Sequence, residues 1–187
     1  MMACKDYHDL PSSISYRQIY EYTGGTWQKD EKGVWENDCF SYYVSVSCNH
    51  CVQPECVQVC PTGAMHKDDE GFVSVNSERC IGCGYCAFAC PYKAPKVDRK
   101  KGQSAKCDGC KDRVMEDLVP ICVEACPLRA LDFDKIDALS TQYGILAQIP
   151  PLPDSNETIP NLVITEPKHC VRPGGPDGSV ANYHEIV

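Results

Sequence analysis

Aromatic residues are scarce, at 9% of the 187 positions, so apolar burial by large rings is a minor resource for this chain. No stretch approaches the roughly eighteen apolar residues of a membrane-spanning helix, which excludes direct insertion and leaves any membrane contact to a partner. The opening MMACKDYHDL has no apolar run of the signal-peptide type. A basic stripe is missing as well: the formal charge is −8, against the positive face a nucleic-acid binder needs. No glycine-rich nucleotide loop follows a strand and no Ser/His/Asp set is legible, so the sequence offers no substrate chemistry of its own. What basic charge there is gathers in Lys93, Lys96, Arg99, Lys100, Lys101 and Lys106. That group reads as a solvated loop, with docking to an acidic partner surface as the alternative.

Cysteine and proline are abundant instead, with fifteen and fourteen residues. The length suits one domain or two small ones sharing a core. At this density cysteine means a disulfide scaffold, structural zinc or iron–sulfur ligation. Disulfide scaffolds are short secreted chains with even counts, whereas this chain is longer, has an odd count and lacks a signal segment.

Twelve of the cysteines fall into three quartets. Cys80, Cys83, Cys86 and Cys90, followed by Pro91, have the C-x2-C-x2-C-x3-C-P spacing of two-cluster ferredoxins. Two-residue gaps let one tight loop place three thiolates on three corners of a cubane, and Gly82 and Gly84 let backbone N–H groups approach its sulfides. The fourth Cys is expected to open a helical turn pointing elsewhere, towards the neighbouring cluster. Cys48, Cys51, Cys56 and Cys60 form a variant closed by Pro61. Cys107, Cys110, Cys122 and Cys126 form a third, closed by Pro127, whose wide spacing taken alone also suits a zinc ribbon. His50 lies inside the first loop, but four thiols are already present there, so it reads as a residue beside the ligands or at the surface. Cys39, on an expected strand, and Cys170, in the tail, have no partner at usable spacing and read as incidental or buried thiols.

The quartets share a smaller repeat, Cys-Pro-x-x-Ala, at residues 60–64, 90–94 and 126–130, which signals a reused structural unit. Met65-His66-Lys67 and Phe72-Val73-Ser74-Val75 flank a turn-prone Asp68-Asp69-Glu70-Gly71 and predict a β-hairpin. Residues 14–20 and 40–46, rich in aromatic and β-branched side chains, predict two strands with a long connection. Residues 135–146 predict a short helix, ended by Pro150-Pro151-Leu152-Pro153. Leu162-Val163-Ile164-Thr165 predicts a strand, and the Pro/Gly-rich segment from Arg172 to Gly178 reads as an arm or a loose terminus. The fold class is α+β.

At Lys106-Cys107-Asp108-Gly109-Cys110-Lys111-Asp112-Arg113-Val114 and Pro120-Ile121-Cys122-Val123-Glu124-Ala125-Cys126-Pro127-Leu128-Arg129-Ala130-Leu131 the pattern becomes specific. It resembles the iron–sulfur subunits of anaerobic dimethyl sulfoxide reductases, and more loosely the electron-transfer subunits of other molybdopterin oxidoreductases. Ser47-Cys48-Asn49-His50-Cys51, Gly63-Ala64-Met65-His66-Lys67 and Cys4-Lys5-Asp6-Tyr7 extend the likeness over nearly the whole chain. The resemblance implies two ferredoxin-like modules, one nested in the other, with β-hairpins, short helices and an extended C-terminal arm. Residues 44–99 would form the inner half, residues 1–43 with 100–146 an incomplete outer half, and residues 147–187 the arm. It further implies the cross-ligation of Cys48, Cys51 and Cys56 with Cys90, of Cys80, Cys83 and Cys86 with Cys60, and of Cys107, Cys110 and Cys122 with Cys4. The family has four 4Fe-4S clusters. This sequence lacks the first three Cys of the first group, as a chain shortened at its N-terminus would, so three clusters are expected and Cys126 becomes the orphan ligand of a fourth.

The function implied is that of a non-catalytic wire in bacterial anaerobic respiration. Electrons would pass from a quinol-oxidising membrane-anchor subunit to a molybdopterin catalytic subunit, with membrane association arising through those partners. An electron-transfer subunit for another molybdenum enzyme, of formate or polysulfide type, remains open, as does a zinc-stabilised interaction module. Colour separates the last, since iron–sulfur protein is brown and zinc protein colourless.

Overall fold

The structure, a computed structural model, describes residues 1–168, 170 and 177–186. In chain order the elements are α1 (Met2–Tyr7), β1 (Gln18–Gly24), β2 (Trp27–Lys29), β3 (Trp35–Asn37), β4 (Phe40–Val46), α2 (Glu55–Gln58), β5 (Met65–Lys67), β6 (Val73–Val75), α3 (Tyr85–Ala89), β7 (Lys96–Asp98), β8 (Gln103–Ala105), α4 (Lys111–Met115), α5 (Ile121–Glu124), α6 (Ile136–Tyr143) and β9 (Gly178–Val180), with a 3-10 turn at Tyr183–Glu185. The architecture is α+β, made of small antiparallel sheets and short helices.

Strand β4 alternates along its length, with Phe40, Tyr42, Val44 and Val46 buried and Ser41 and Tyr43 exposed. Period two is what a strand covered on one face requires. It pairs with β1 over seven residues, from Gln18 opposite Val46 to Gly24 opposite Phe40, and β9 adds a third strand on the far side of β1. Tyr92 and Ile149 complete the core against the β4 face. A second core is smaller and consists of Cys56, Met65, Val73 and Cys86. Half of that cluster is cysteine, so its apolar area alone is too small to hold the surrounding loops.

The expected hairpin forms between β5 and β6, and the expected helix is α6. The strand expected at residues 14–20 is instead β1, four residues further on. Ile14 and Ser15 turn inward and are buried ahead of the strand, which leaves Gln18–Gly24 to match β4 residue for residue. Leu162-Val163-Ile164-Thr165 is not a strand: the Ile164 N–H donates to the Leu146 carbonyl at 2.7 Å, and no strand pairing forms there among the described residues. The tail's strand is β9, for which the sequence carries no clear signal. Of the segment from Arg172 to Gly178, residues 172–176 lie outside the described residues.

The chain after α6 is anchored. The Tyr42 hydroxyl donates to the Pro150 carbonyl at 2.8 Å. Val52 and Gln53 donate their N–H groups to the carbonyls of Ile159 and Thr158 at 2.8 and 3.0 Å. Asn161 donates through its side chain to the His50 carbonyl at 2.7 Å and through its backbone to that of Asn49 at 3.2 Å. The tail therefore clamps the loop that carries Cys48 and Cys51. Among the described residues no helix is long and apolar enough to cross a membrane.

Candidate metal centres

The repeated Cys-Pro-x-x-Ala unit has a physical explanation in the backbone. A residue before proline is pushed out of the α region, so a short helix ends as each unit begins: α3 closes at Cys90, whose φ of −79° and ψ of 115° are extended. The fourth Cys thus terminates a helical turn rather than opening one, a correction that applies equally to Cys60 after α2 and Cys126 after α5. The position three residues after each Cys is left-handed, with φ of 63° at Gly63, 53° at Lys93 and 51° at Arg129. That kink turns the following N–H groups back onto the sulfur as an anion-binding concavity.

Burial alone would raise the Cys60 thiol, but N–H groups of Met65, Thr62 and Ala64 and the Thr62 hydroxyl hold it below its ordinary value; the Met65 bond measures 3.3 Å. Cys126 is also held low, by N–H groups of Ala130, Leu128, Leu131 and Arg129. Cys90 receives the corresponding bonds from Ala94 and Tyr92, but burial there wins and its thiol is raised.

The quartets cross. Cys60 leaves its own run and lines a small hollow together with Cys80, Cys83 and Cys86, next to Met65, Gly82 and Ser104. In the same hollow the Ser104 N–H donates to Cys80 Sγ at 3.2 Å, and Ser104 Oγ lies 3.3 Å from Cys86 Sγ. Gly82, at φ of 67°, has the Gly102 carbonyl oxygen against the position a Cβ would take, so only glycine lets these two loops meet.

Cys56 is driven up to about 12 by burial and then by the neighbouring Cys48, Cys90 and Cys51. Cys90 is raised in turn by burial, then by Cys48 and Cys51, and Cys51 and Cys90 both pack against the core below β4. Cys4 is raised to about 11 by burial and then by Cys122 and Cys110. Cys4, Cys107, Cys110 and Cys122 line a cavity of about 970 Å³ that also reaches Cys48. Burial, then Cys48, raises Cys107 to about 12, while the Gly109 N–H donates to its sulfur at 3.4 Å. Cys126 lines neither hollow.

The twelve cysteines of the three quartets, with Cys4 and Cys39, are free thiols. Buried thiols that raise one another's pKa resist ionisation unless a positive centre binds them, and several sulfurs already receive N–H donors. This donor set, all sulfur and met by backbone amides, fits iron–sulfur cubanes. Cys39 precedes β4 and is exposed rather than on a strand, and Cys170 packs against the core beside Tyr42.

Other groups lie beside these sulfurs, and of them only His50 is signalled by the sequence. His50 is half-buried and lines the large cavity. Its Nδ1 accepts the Val73 N–H at 2.9 Å, its ring meets Phe72 edge-on, and burial, then Lys106, depresses its pKa to about 3. Lys106, expected on a solvated loop, is 5% exposed and donates to the carbonyls of Val73 and Cys107. Its charge lowers the pKa of both Cys56 and Cys107. Arg17 acts likewise on Cys4 and Cys107 while donating to the hydroxyls of Ser45 and Ser47 at 3.1 and 2.8 Å. His8 Nε2 lies 3.5 Å from Cys110 Sγ.

Comparison with known proteins agrees with this chemistry. Residues 39–136 match the 4Fe-4S dicluster domain family. The sequence is 54% identical to the B subunit of anaerobic dimethyl sulfoxide reductase from Haemophilus influenzae, over 99% of this chain and 90% of that one. It is 55% identical to the corresponding B subunit of Escherichia coli, with the same coverage. Further off, it is 36% identical to the B subunit of polysulfide reductase from Wolinella succinogenes, over 89% of this chain and 86% of that one.

Proposed function

The protein belongs to the family of iron–sulfur B subunits of anaerobic dimethyl sulfoxide reductases, and from that premise we propose that it carries electrons from a quinol-oxidising membrane anchor to a molybdopterin catalytic subunit. It is an electron-transfer subunit and not the catalytic one. A bound 4Fe-4S cluster supplies reversible one-electron storage, with a potential set by charge, burial and hydrogen bonds to sulfur.

In this reading three ligand sets operate: Cys48, Cys51, Cys56 with Cys90; Cys80, Cys83, Cys86 with Cys60; and Cys107, Cys110, Cys122 with Cys4. The observation that supports it most is the crossing of Cys60 into the hollow of Cys80, Cys83 and Cys86, accompanied by the way burial, then Cys48 and Cys51, raise the thiols of both Cys56 and Cys90. Two loops that exchange their last cysteine put two centres side by side. The inner module of residues 44–99 then sits within an outer one of residues 1–43 and 100–146, with residues 147–187 as the arm whose described part grips the first loop. Cys126 has its N–H donors but lines neither of the two hollows, which supports three clusters in the 187 residues.

The protein's own work is to hold thiolates, to aim N–H groups at the sulfurs where charge accumulates, and to present an edge to each partner. Exposed Cys83 shares its hollow with Ile81 and Tyr85, which are 64% and 60% exposed, and Phe88 on the same short helix as Tyr85 is 95% exposed. Exposed apolar side chains of that kind suit burial against another subunit, and membrane association follows through the partners.

The test is iron and sulfide analysis of anaerobically prepared protein, with electron paramagnetic resonance after reduction. About twelve irons in three cubanes are expected, from four irons in each. Colourless protein holding zinc would overturn the reading. A molybdenum subunit of another type, such as the partner of a polysulfide reductase B subunit, would co-purify if the acceptor differs from dimethyl sulfoxide.

A further inference from the structure

We propose that His8 is a positioning residue for one cluster of this wire: its Nε2–H donates a hydrogen bond to Cys110 Sγ and raises the reduction potential of the cluster held by Cys4, Cys107, Cys110 and Cys122. The inference rests on the assignment of Cys110 to that ligand set.

Local structure explains the placement. Helix α1 carries Cys4 and ends at His8, whose N–H donates to the Cys4 carbonyl at 3.2 Å. Residues four apart on a helix lie on one face, so the segment that delivers Cys4 also brings an imidazole up to Cys110. The ring is held by two others, Tyr7 edge-on at 5.0 Å and Tyr16 tilted at 5.3 Å. Nε2 lies 3.5 Å from Cys110 Sγ and 3.9 Å from Asp108 Oδ1, while Asp108 Oδ1 itself accepts the Cys110 N–H at 2.8 Å. His8, Asp108 and Cys110 thus offer a nitrogen, an oxygen and a sulfur within 4.8 Å of one another. Such a group resembles a small metal site, but Cys110 already has its place beside Cys4 and Cys122, so a separate ion there would compete for the same sulfur.

The direction of the effect follows from chemistry. A thiolate ligand carries no proton, so it can only accept, and Nε2 must be the donor. Reduction adds one electron to the cluster and increases the negative charge on its sulfurs, with no bond to the imidazole made or broken. A donor that bonds more strongly to the more negative state favours reduction.

The test is a redox titration monitored by electron paramagnetic resonance on the full cluster-loaded protein, comparing wild type with His8→Phe and His8→Gln. Phenylalanine keeps a ring between Tyr7 and Tyr16 but cannot donate; glutamine keeps an N–H donor. His8→Phe should lower the potential of this one cluster by about 59 mV, a tenfold change in its reduced-to-oxidised ratio for one electron, while His8→Gln recovers part of the shift. Pulsed resonance on ¹⁵N-histidine-labelled wild type should show a histidine nitrogen coupled to the same reduced cluster, lost in His8→Phe. An unchanged potential in His8→Phe, or no coupled nitrogen in wild type, overturns the proposal while leaving the ligand assignment standing. Loss of the cluster in both variants assigns His8 to scaffold and also overturns it. A Cys110→Ser variant that keeps every cluster signal of wild type would instead overturn the assignment beneath it.

Discussion

Gly63, Lys93 and Arg129 provide an internal test of the Cys-Pro-x-x-Ala unit, because they hold the same left-handed backbone with different side chains. A residue with a Cβ is disfavoured there by roughly 1–2 kcal/mol. At Gly63 an added Cβ meets nothing within 4 Å, so Gly63→Ala isolates the backbone cost from any clash. That substitution should destabilise the protein by about 1–2 kcal/mol, less the roughly 0.5–1 kcal/mol that alanine saves in unfolded-chain entropy relative to glycine. Lys93→Gly and Arg129→Gly run the same exchange in reverse and should be neutral to stabilising by up to about 1 kcal/mol. Since unfolding releases the clusters irreversibly, the quantity to measure is the rate of bleaching of the visible absorbance in denaturant. Gly63→Ala should bleach several-fold faster, and the two glycine variants at the wild-type rate or slower. The reasoning fails if Gly63→Ala is silent while Lys93→Gly bleaches faster, because the left-handed kink would then not be the common strain of the three units.

Lys106→Met should lower the potentials of both the Cys56 and the Cys107 clusters and leave that of Cys83 unmoved, since the buried ammonium lowers the pKa of those two sulfurs; resonance-monitored titration that finds only one cluster shifted would contradict a shared counter-charge. The same variant leaves the Val73 and Cys107 carbonyls without their donor, at a cost of about 1–3 kcal/mol visible in the bleaching rate. Cys83→Ser should damage one cluster and spare the one of Cys107, Cys110 and Cys122; equal loss of all iron would argue against separate modules. Removing the clusters with a chelator should abolish cooperative thermal unfolding, because ligation energy in such a site is folding energy. An apo form that still melts in a sharp transition by circular dichroism would show a core able to fold without metal.

Some of this is legible in the sequence and some is not, for reasons that differ residue by residue. β4 can be read to its ends because its burial depends on its own period-two pattern. The β5–β6 hairpin can be read because its turn chemistry is local, and the cysteine quartets because a cubane imposes short spacings. β1 begins four residues later than composition suggests because residues 14–20 are as strand-like as the true strand; what distinguishes them is the register with β4, a long-range fact. The tail clamp is of the same kind: Asn161 meets His50 across 111 residues, and nothing near either residue announces it. The left-handed positions are hidden because Gly63 hints at them while Lys93 and Arg129 do not. Lys106 shows the limit most directly. It follows Lys100 and Lys101 in what reads as one basic run, and those two are exposed as such a run should be. Only because β8 ends at Ala105 and feeds straight into the Cys107 loop is the next ammonium carried under the β5–β6 hairpin, where the Val73 carbonyl receives it. A charge becomes functional there through the path of the backbone, and the electrostatic environment of the sulfurs follows from packing that the charge pattern does not encode.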